Sequence, residues 1–74
     1  MVDLYYMEDD PNIAGAVKEY LERKNFRVTI CATLATARQA LEAHVPTLVL
    51  LDWNMPDGHG DGLCRWIRSR WKDL

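Results

Sequence analysis

The stretch Leu48-Val49-Leu50-Leu51-Asp52 is a continuous apolar run that ends abruptly in an acid. Four consecutive aliphatic residues are typical of a parallel strand that is buried on both faces of a sheet. The following segment, residues 52–62, contains Pro56 and three glycines, which favour turns. The sequence therefore predicts a buried strand at 48–51 and a loop from Asp52 to Gly62.

Two strand-and-helix units precede this strand. The stretch at 2–7 is rich in aliphatic and aromatic residues and predicts a first strand, and Asp10 before Pro11 is typical of a helix start. Asn25 is predicted to end this helix, and alternating apolar and polar residues at 26–30 predict a second strand. The helix residues expected to face a core are Ile13, Val17, Tyr20 and Leu21.

Two further helices are predicted, and each has an apolar stripe. Thr33 is the expected N-cap of the second helix, whose stripe is Leu34, Ala37, Ala40 and Leu41. The third helix has its stripe at Leu63, Trp66, Ile67 and Trp71. We interpret the basic and aromatic residues at 65–72 as a solvated helix face, in preference to a nucleic-acid-binding surface. Three strands that alternate with three helices predict an α/β fold with a parallel sheet.

The composition is that of a single small domain. The chain has 74 residues, a net charge of −2 and 49% hydrophobic residues, which indicates a globular chain. No apolar run is long enough to span a bilayer, and the N-terminus lacks a secretion signal, so a cytoplasmic location is expected. The acidic balance gives no general attraction to nucleic acid or to anionic membranes. Cys31 and Cys64 are expected to be reduced thiols.

Three carboxylates follow two of the predicted strands, where each strand ends. Glu8 and Asp9 come after the first strand, and Asp52 follows the third. If these strands are neighbours, their carboxyl ends bring the three acids together, and their mutual repulsion favours a divalent cation such as Mg²⁺. An exposed Asp carboxylate can also act as a nucleophile on phosphorus. Any one of these acids alone is more often a cap or turn residue, and only their combination points to a site.

Three stretches of the sequence resemble the receiver domains of bacterial two-component response regulators. Tyr5-Tyr6-Met7-Glu8-Asp9-Asp10 resembles the first strand and acidic pocket of that family. Pro46-Thr47-Leu48-Val49-Leu50-Leu51-Asp52 resembles its third strand and phosphorylation site. Asp52-Trp53-Asn54-Met55-Pro56, followed by Gly60, resembles the signature that comes after the phosphorylated aspartate, most closely in chemotaxis-type receivers. The resemblance covers all 74 residues and implies a flavodoxin-like fold with the strand order 2-1-3.

The resemblance also implies a role for each matching residue. Asp52 would accept a phosphoryl group from the phosphohistidine of a sensor histidine kinase. Asp9, Asp52 and the backbone carbonyl of Asn54 would ligate Mg²⁺ directly, and Glu8 would act through a metal-bound water. Such a protein is a phosphorylated signalling domain and not an enzyme, beyond its own Mg²⁺-dependent modification.

Three further residues would shape the loop after the phosphorylated aspartate. Met55 and Pro56 would fix the turn, and Gly60 would adopt a backbone conformation that side chains disfavour. The chain stops after the third unit, so the resemblance implies the N-terminal (βα)₃ part of a C-terminally truncated receiver over residues 1–74. The fourth and fifth strands of the family, and any output domain, would be absent. The fourth normally supplies a Ser or Thr to the phosphate and the fifth a Lys.

Two other functions remain open. A receiver without these strands would expose the edge of the 48–51 strand, so the chain could be a non-catalytic module that dimerises, swaps elements or binds a partner. A phosphatase of the haloacid dehalogenase type also uses an Asp at a strand end. It requires a second Asp two residues later, where this sequence has Asn54, so this alternative ranks last.

Overall fold

The protein forms a three-layer arrangement of helices and parallel strands, seen in a computed structural model that describes residues 1–52 and 54–71. Its main sheet has three parallel strands: β1 (Val2–Met7), β2 (Phe26–Cys31) and β3 (Leu48–Leu51), in the order β2-β1-β3. A short antiparallel pair consists of β4 (Asn54–Met55) and β5 (Gly58–His59). The helices are α1 (Pro11–Arg23), α2 (Leu34–Ala43) and α3 (Gly60–Arg70). The predicted α/β fold and strand order 2-1-3 are confirmed.

β1 is the central strand, and its register aligns the carboxyl ends of its two neighbours. Met7, the last residue of β1, lies opposite Cys31 of β2 and Leu51 of β3. All three strands therefore end at the same level, and the residues that follow them meet at one edge of the sheet.

The helix boundaries follow from local capping. The Oδ1 atom of Asp10 accepts hydrogen bonds from the backbone N–H groups of Asn12 and Ile13, at 2.9 and 3.3 Å. Asn25, just beyond α1, has a φ of 73°, a left-handed conformation that Asn tolerates better than most residues. Thr33 forms a capping box with Thr36 at the start of α2. The predicted N-caps and the predicted stop at Asn25 are confirmed.

Each face of the sheet carries its own apolar cluster. On one face, α1 covers residues of β1 and β2; the buried members are Leu4, Tyr6, Ala14 and Val28. On the other face, α2 and α3 enclose a second cluster; its buried members are Tyr5, Met7, Cys31, Ala37, Leu41, Met55, Leu63 and Ile67. Trp66 and Trp71 pack against this second cluster, as predicted.

The prediction for α1 was wrong at two of its four positions. Ile13 and Tyr20 are 49% and 59% exposed, whereas Ala14 is buried. Val17 and Leu21 pack against the sheet as predicted. The small Ala14 side chain lies directly over the sheet, so the contact stripe runs through 14, 17 and 21. Ile13 and Tyr20 lie beside that stripe because adjacent helical residues point about 100° apart.

Strand β3 was predicted to be buried on both faces, and this is wrong for one face. Leu48 and Leu50 are 46% and 43% exposed, while Val49 and Leu51 pack against the cluster under α2 and α3. Among the described strands, β3 pairs only with β1, and α1 packs on residues of β1 and β2. Within residues 1–52 and 54–71, the outer edge of β3 is therefore not paired with another strand.

Helix α3 begins earlier than predicted. The expected loop extended to Gly62, but the helix starts at Gly60, directly after β5. The β4–β5 pair occupies residues 54–59, so the chain reaches the start of α3 by Gly60. In the described part of the chain, no helix has the length and apolar character required to cross a membrane.

Candidate functional site

Three carboxylates converge at the carboxyl end of the sheet. Glu8, Asp9 and Asp52 each contribute one oxygen to a group in which all the oxygens lie within 4.8 Å of one another. Glu8 and Asp9 directly follow β1, and Asp52 directly follows β3. The sequence prediction that these acids meet rested on the pairing of the first and third strands, and the register shows that pairing.

Backbone hydrogen bonds beyond the strand ends fix this convergence. The N–H of Asp52 donates to the carbonyl oxygen of Met7 at 3.1 Å. The N–H of Glu8 donates to the carbonyl oxygen of Cys31, also at 3.1 Å. Each bond continues the pattern of the parallel sheet by one residue, so the backbone of Glu8 and that of Asp52 are held by the sheet.

Glu8 is the buried member of the group, with 8% of its surface exposed. One carboxylate oxygen accepts a hydrogen bond from the hydroxyl of Tyr6 at 3.3 Å, and the other accepts from the N–H of Asp10 at 3.2 Å. Burial raises the pKa of the Tyr6 hydroxyl, and the nearby charge of Glu8 raises it further. Two donors therefore hold the Glu8 carboxylate in one orientation.

The other two acids are accessible. Asp9 is exposed and Asp52 is half-buried, so a solute can approach both from the edge of the sheet. Within residues 1–52 and 54–71, no Lys or Arg forms an ion pair with Glu8, Asp9 or Asp52. Three close carboxylates with no Lys or Arg partner in these described ranges fit an oxygen-ligated divalent cation such as Mg²⁺.

The residues after Asp52 form a tight hairpin. Asn54 begins β4 and pairs with His59, although the Asn54 side chain and the whole of Trp53 lie outside the described residues. Met55 is buried in the cluster under α2 and α3, and Pro56 is exposed at the turn. Met55 thus anchors the hairpin through packing.

The predicted reason for Gly60 was wrong. Its φ is not positive; among the described glycines only Gly58 has a positive φ, of 145°. A Cβ on Gly60 would lie 3.0 Å from the carbonyl oxygen of Asp52 and 3.0 Å from the side chain of Leu51. Glycine is needed here because the start of α3 passes close to the backbone of Asp52.

Asp57, at the turn of the hairpin, was not predicted from the sequence as a functional residue. Its Oδ1 accepts from the N–H of Leu34 at 2.8 Å, and its Oδ2 accepts from the N–H of Ala35 at 3.0 Å. The hydrogen bond from Leu34 lowers the pKa of the Asp57 carboxyl. An Asp before Gly is an ordinary turn signal, and nothing local indicates a helix 23 residues away.

Comparison with known proteins identifies the family. Residues 4–74 match the model of the response regulator receiver domain. The chain belongs to this receiver family. The resemblance inferred from the three sequence stretches is thereby confirmed, whereas the closer likeness to chemotaxis-type receivers stays a prediction.

The receiver aligns with part of longer regulators. It is 41% identical over 63 residues to the transcriptional regulatory protein GltR of Pseudomonas aeruginosa, covering 85% of this chain and 26% of GltR. It is 30% identical over 71 residues to the transcriptional regulatory protein RstA of Escherichia coli, covering 96% of this chain and 30% of RstA. The chain therefore spans under a third of the length of these relatives.

Solved receiver structures have the same fold. The non-phosphorylated HemR receiver domain of Leptospira biflexa superposes with a TM-score of 0.93 at 32% identity, over all of this chain and 60% of that one. The response regulator TrrA of Thermotoga maritima, solved in complex with Mg²⁺ and a beryllium fluoride, gives 0.94 at 27% identity, over 99% and 64%. Receivers of this fold thus include one whose structure holds Mg²⁺.

Proposed function

We propose that this receiver accepts a phosphoryl group on Asp52 from the phosphohistidine of a sensor histidine kinase, with Mg²⁺ as cofactor. In this proposal residues 1–74 are the N-terminal (βα)₃ part of a receiver. The convergence of Glu8, Asp9 and Asp52 carries the proposal. Family membership supports it, because phosphoryl acceptance by an aspartate is typical of response regulators.

Asp52 is the proposed nucleophile because it is the acid that directly follows β3 and because its side chain is accessible. One of its carboxylate oxygens forms a bond to phosphorus while the bond between phosphorus and the donor's imidazole nitrogen breaks. The imidazole leaves with the electron pair of that bond. The product is an acyl phosphate on Asp52, so the chain is modified once and is not an enzyme that turns over a substrate.

The neighbouring acids are proposed to hold the metal. Asp9 and Asp52 would ligate Mg²⁺ directly together with the backbone carbonyl of Asn54, and Glu8 would act through water. Bound Mg²⁺ neutralises charge on the transferred phosphoryl oxygens. The hydrogen bonds from Tyr6 and Asp10 keep the Glu8 carboxylate in place for this role.

The test is the intact mass of the protein after incubation with acetyl phosphate and Mg²⁺. We expect one added phosphoryl group, which hydroxylamine removes and which is absent from Asp52→Asn. Asp61→Asn is the matched control, since Asp61 is an Asp of α3 whose carboxylate pairs with Arg65. No adduct on the folded chain, or an adduct on Asp52→Asn, would contradict the proposal.

A second candidate function rests on the edge of β3. Leu48 and Leu50 are exposed there, and an open groove of about 200 Å³ lies along the strand on the side of α3. Such an edge pairs readily with another strand. The alternative is therefore a module that associates with a second copy of itself without phosphate chemistry. This alternative would be favoured if the chain associates with itself even when Asp52 carries no phosphoryl group.

A further inference from the structure

Asp57 connects two parts of the fold that are far apart in sequence. It lies at the turn between β4 and β5, and both of its carboxylate oxygens accept backbone hydrogen bonds from the start of α2. These bonds, at 2.8 and 3.0 Å, are short and involve an ionised acceptor, which makes them stronger than bonds between neutral groups. The positive end of the helix dipole adds to the attraction.

The contact completes the N-terminus of α2. The first helical N–H groups have no partner within the helix itself. Thr33 accepts from Thr36 and, through its carbonyl oxygen, from Ala37. The two N–H groups that remain, those of Leu34 and Ala35, donate to Asp57. The helix start therefore depends on a side chain from the hairpin that follows Asp52.

The same hairpin touches α2 at a second point. A Cβ on Gly58 would lie 3.2 Å from a methyl carbon of Leu34, so the backbone of Gly58 approaches that side chain closely. Leu34 in turn packs against the cluster that contains Met55. Asp57 thus acts together with packing to fix where the hairpin lies, and β4 begins only two residues after Asp52.

We propose that Asp57 is a positioning residue for the metal site, holding the hairpin, and with it the backbone carbonyl of Asn54, against the start of α2. The inference rests on the proposed function, since it requires that Mg²⁺ bind beside Asp52. Asp57 does not touch the metal in this scheme. It acts through the backbone of residues 54–57, as second-layer groups do when they orient metal ligands.

The Asp57 contact and Mg²⁺ binding must influence each other reciprocally. If the Asp57 contact favours Mg²⁺ binding, then Mg²⁺ binding must favour the contact to the same degree. Mg²⁺ should therefore slow the hydrogen exchange of the Leu34 and Ala35 amides. A purely structural helix cap would protect these two amides equally with and without the metal.

The experiment compares the whole chain with Asp57→Asn, Asp57→Ala and the control Asp61→Asn. Mg²⁺ affinity is measured by calorimetry, and amide exchange is measured by NMR with and without Mg²⁺. We expect Asp57→Ala to weaken Mg²⁺ binding about tenfold, the lower end of the range for groups that orient metal ligands. Asp57→Asn keeps one acceptor oxygen, so its Mg²⁺ affinity should lie between those of Asp57→Ala and the parent. The Mg²⁺ affinity of Asp61→Asn should match that of the parent.

The outcomes separate this inference from the proposed function. If the parent binds Mg²⁺ and both Asp57 variants, folded by circular dichroism, bind it equally well, the positioning role is overturned and the proposed function stands. If the folded parent binds no Mg²⁺, both are overturned. The inference is supported if two results are obtained. The Asp57 variants bind Mg²⁺ more weakly than the parent, and Mg²⁺ slows the exchange of the Leu34 and Ala35 amides in the parent alone.

Discussion

The backbone N–H of Asp52 donates a 3.1 Å hydrogen bond to the carbonyl oxygen of Met7, and this bond sets the geometry of the carboxylate site. It holds the chain leaving β3 beside the chain leaving β1, so that Asp52 lies next to the residues that follow Met7. The three acids are therefore brought together by the sheet, and their own mutual repulsion opposes the arrangement. A divalent cation would relieve this repulsion and stabilise the site.

Asp9→Asn should weaken Mg²⁺ binding by at least about tenfold, because a neutral amide replaces a proposed direct ligand. Glu8→Gln should have a smaller effect, since Glu8 is proposed to act through water. Calorimetric titration with Mg²⁺ measures both effects, and Asp61→Asn controls for the loss of one negative charge. Unchanged affinity in Asp9→Asn would remove Asp9 from the proposed site.

Gly60→Ala should destabilise the protein by about 1–3 kcal/mol, as expected for atoms inserted into a tightly packed contact. The new Cβ would lie 3.0 Å from the carbonyl oxygen of Asp52, and backbone cannot move aside as a flexible side chain can. The matched control is Gly62→Ala, two residues along the same helix, where a Cβ meets nothing within 4 Å.

Gly62→Ala should be neutral or should stabilise the protein by up to about 1 kcal/mol, because Ala favours the helix more than Gly does. Urea unfolding measures the free energy of unfolding for both variants. Equal stability of the two would show that α3 can move away from Asp52 without cost. In Gly60→Ala we also expect slower phosphorylation by acetyl phosphate, because the backbone of Asp52 shifts.

Local sequence signals predicted the elements of this fold well. Asp10 and Thr33 cap helices through their own neighbours in sequence. The aliphatic and aromatic residues of β1 and β3 mark both strands without reference to the rest of the fold. The convergence of the acids was also predictable, because parallel strands end at one edge of the sheet. These features can be predicted from short-range sequence patterns or from the general rule for α/β sheets.

The remaining features depend on tertiary packing. The exposure of Ile13 and the burial of Ala14 depend on which side of α1 reaches the sheet, and the helical spacing allows both. The reason for Gly60 lies in its approach to Asp52 eight residues earlier, which no turn rule contains. Asp57 caps a helix from 23 residues away, so only the folded chain reveals its partners.

The exposed edge of β3 leads to a prediction about association. If two copies pair through this edge, Leu50→Lys should shift the chain toward monomer, because charged residues on edge strands oppose pairing. Ile13→Lys is the control, since Ile13 is exposed to a similar extent but lies on α1. Light scattering over a series of concentrations measures the change. A parent chain that stays monomeric at all of these concentrations would refute pairing through β3.

Asp57 should also make the stability of α2 depend on pH. The hydrogen bond from the Leu34 N–H lowers the pKa of this carboxyl most, partial desolvation opposes that shift, and the Ala35 N–H and the charge of Arg38 lower the pKa further. A pKa that is lower in the folded than in the unfolded chain contributes stability above the unfolded value, about 3.9 for Asp. That stability is lost as the pH falls through the lowered folded value.

The comparison of the parent with Asp57→Asn isolates this contribution, because both proteins contain all the other carboxyl groups. Asp57→Asn should unfold at a lower temperature than the parent at pH 7. The difference in Tm should shrink as the pH is lowered through 4 and below, since the parent then loses the charged acceptor that the variant never had. Thermal unfolding by circular dichroism measures the difference at each pH. A difference in Tm that stays constant down to the acid limit of folding would mean that the ionised carboxylate adds nothing beyond what the amide oxygen of Asn supplies.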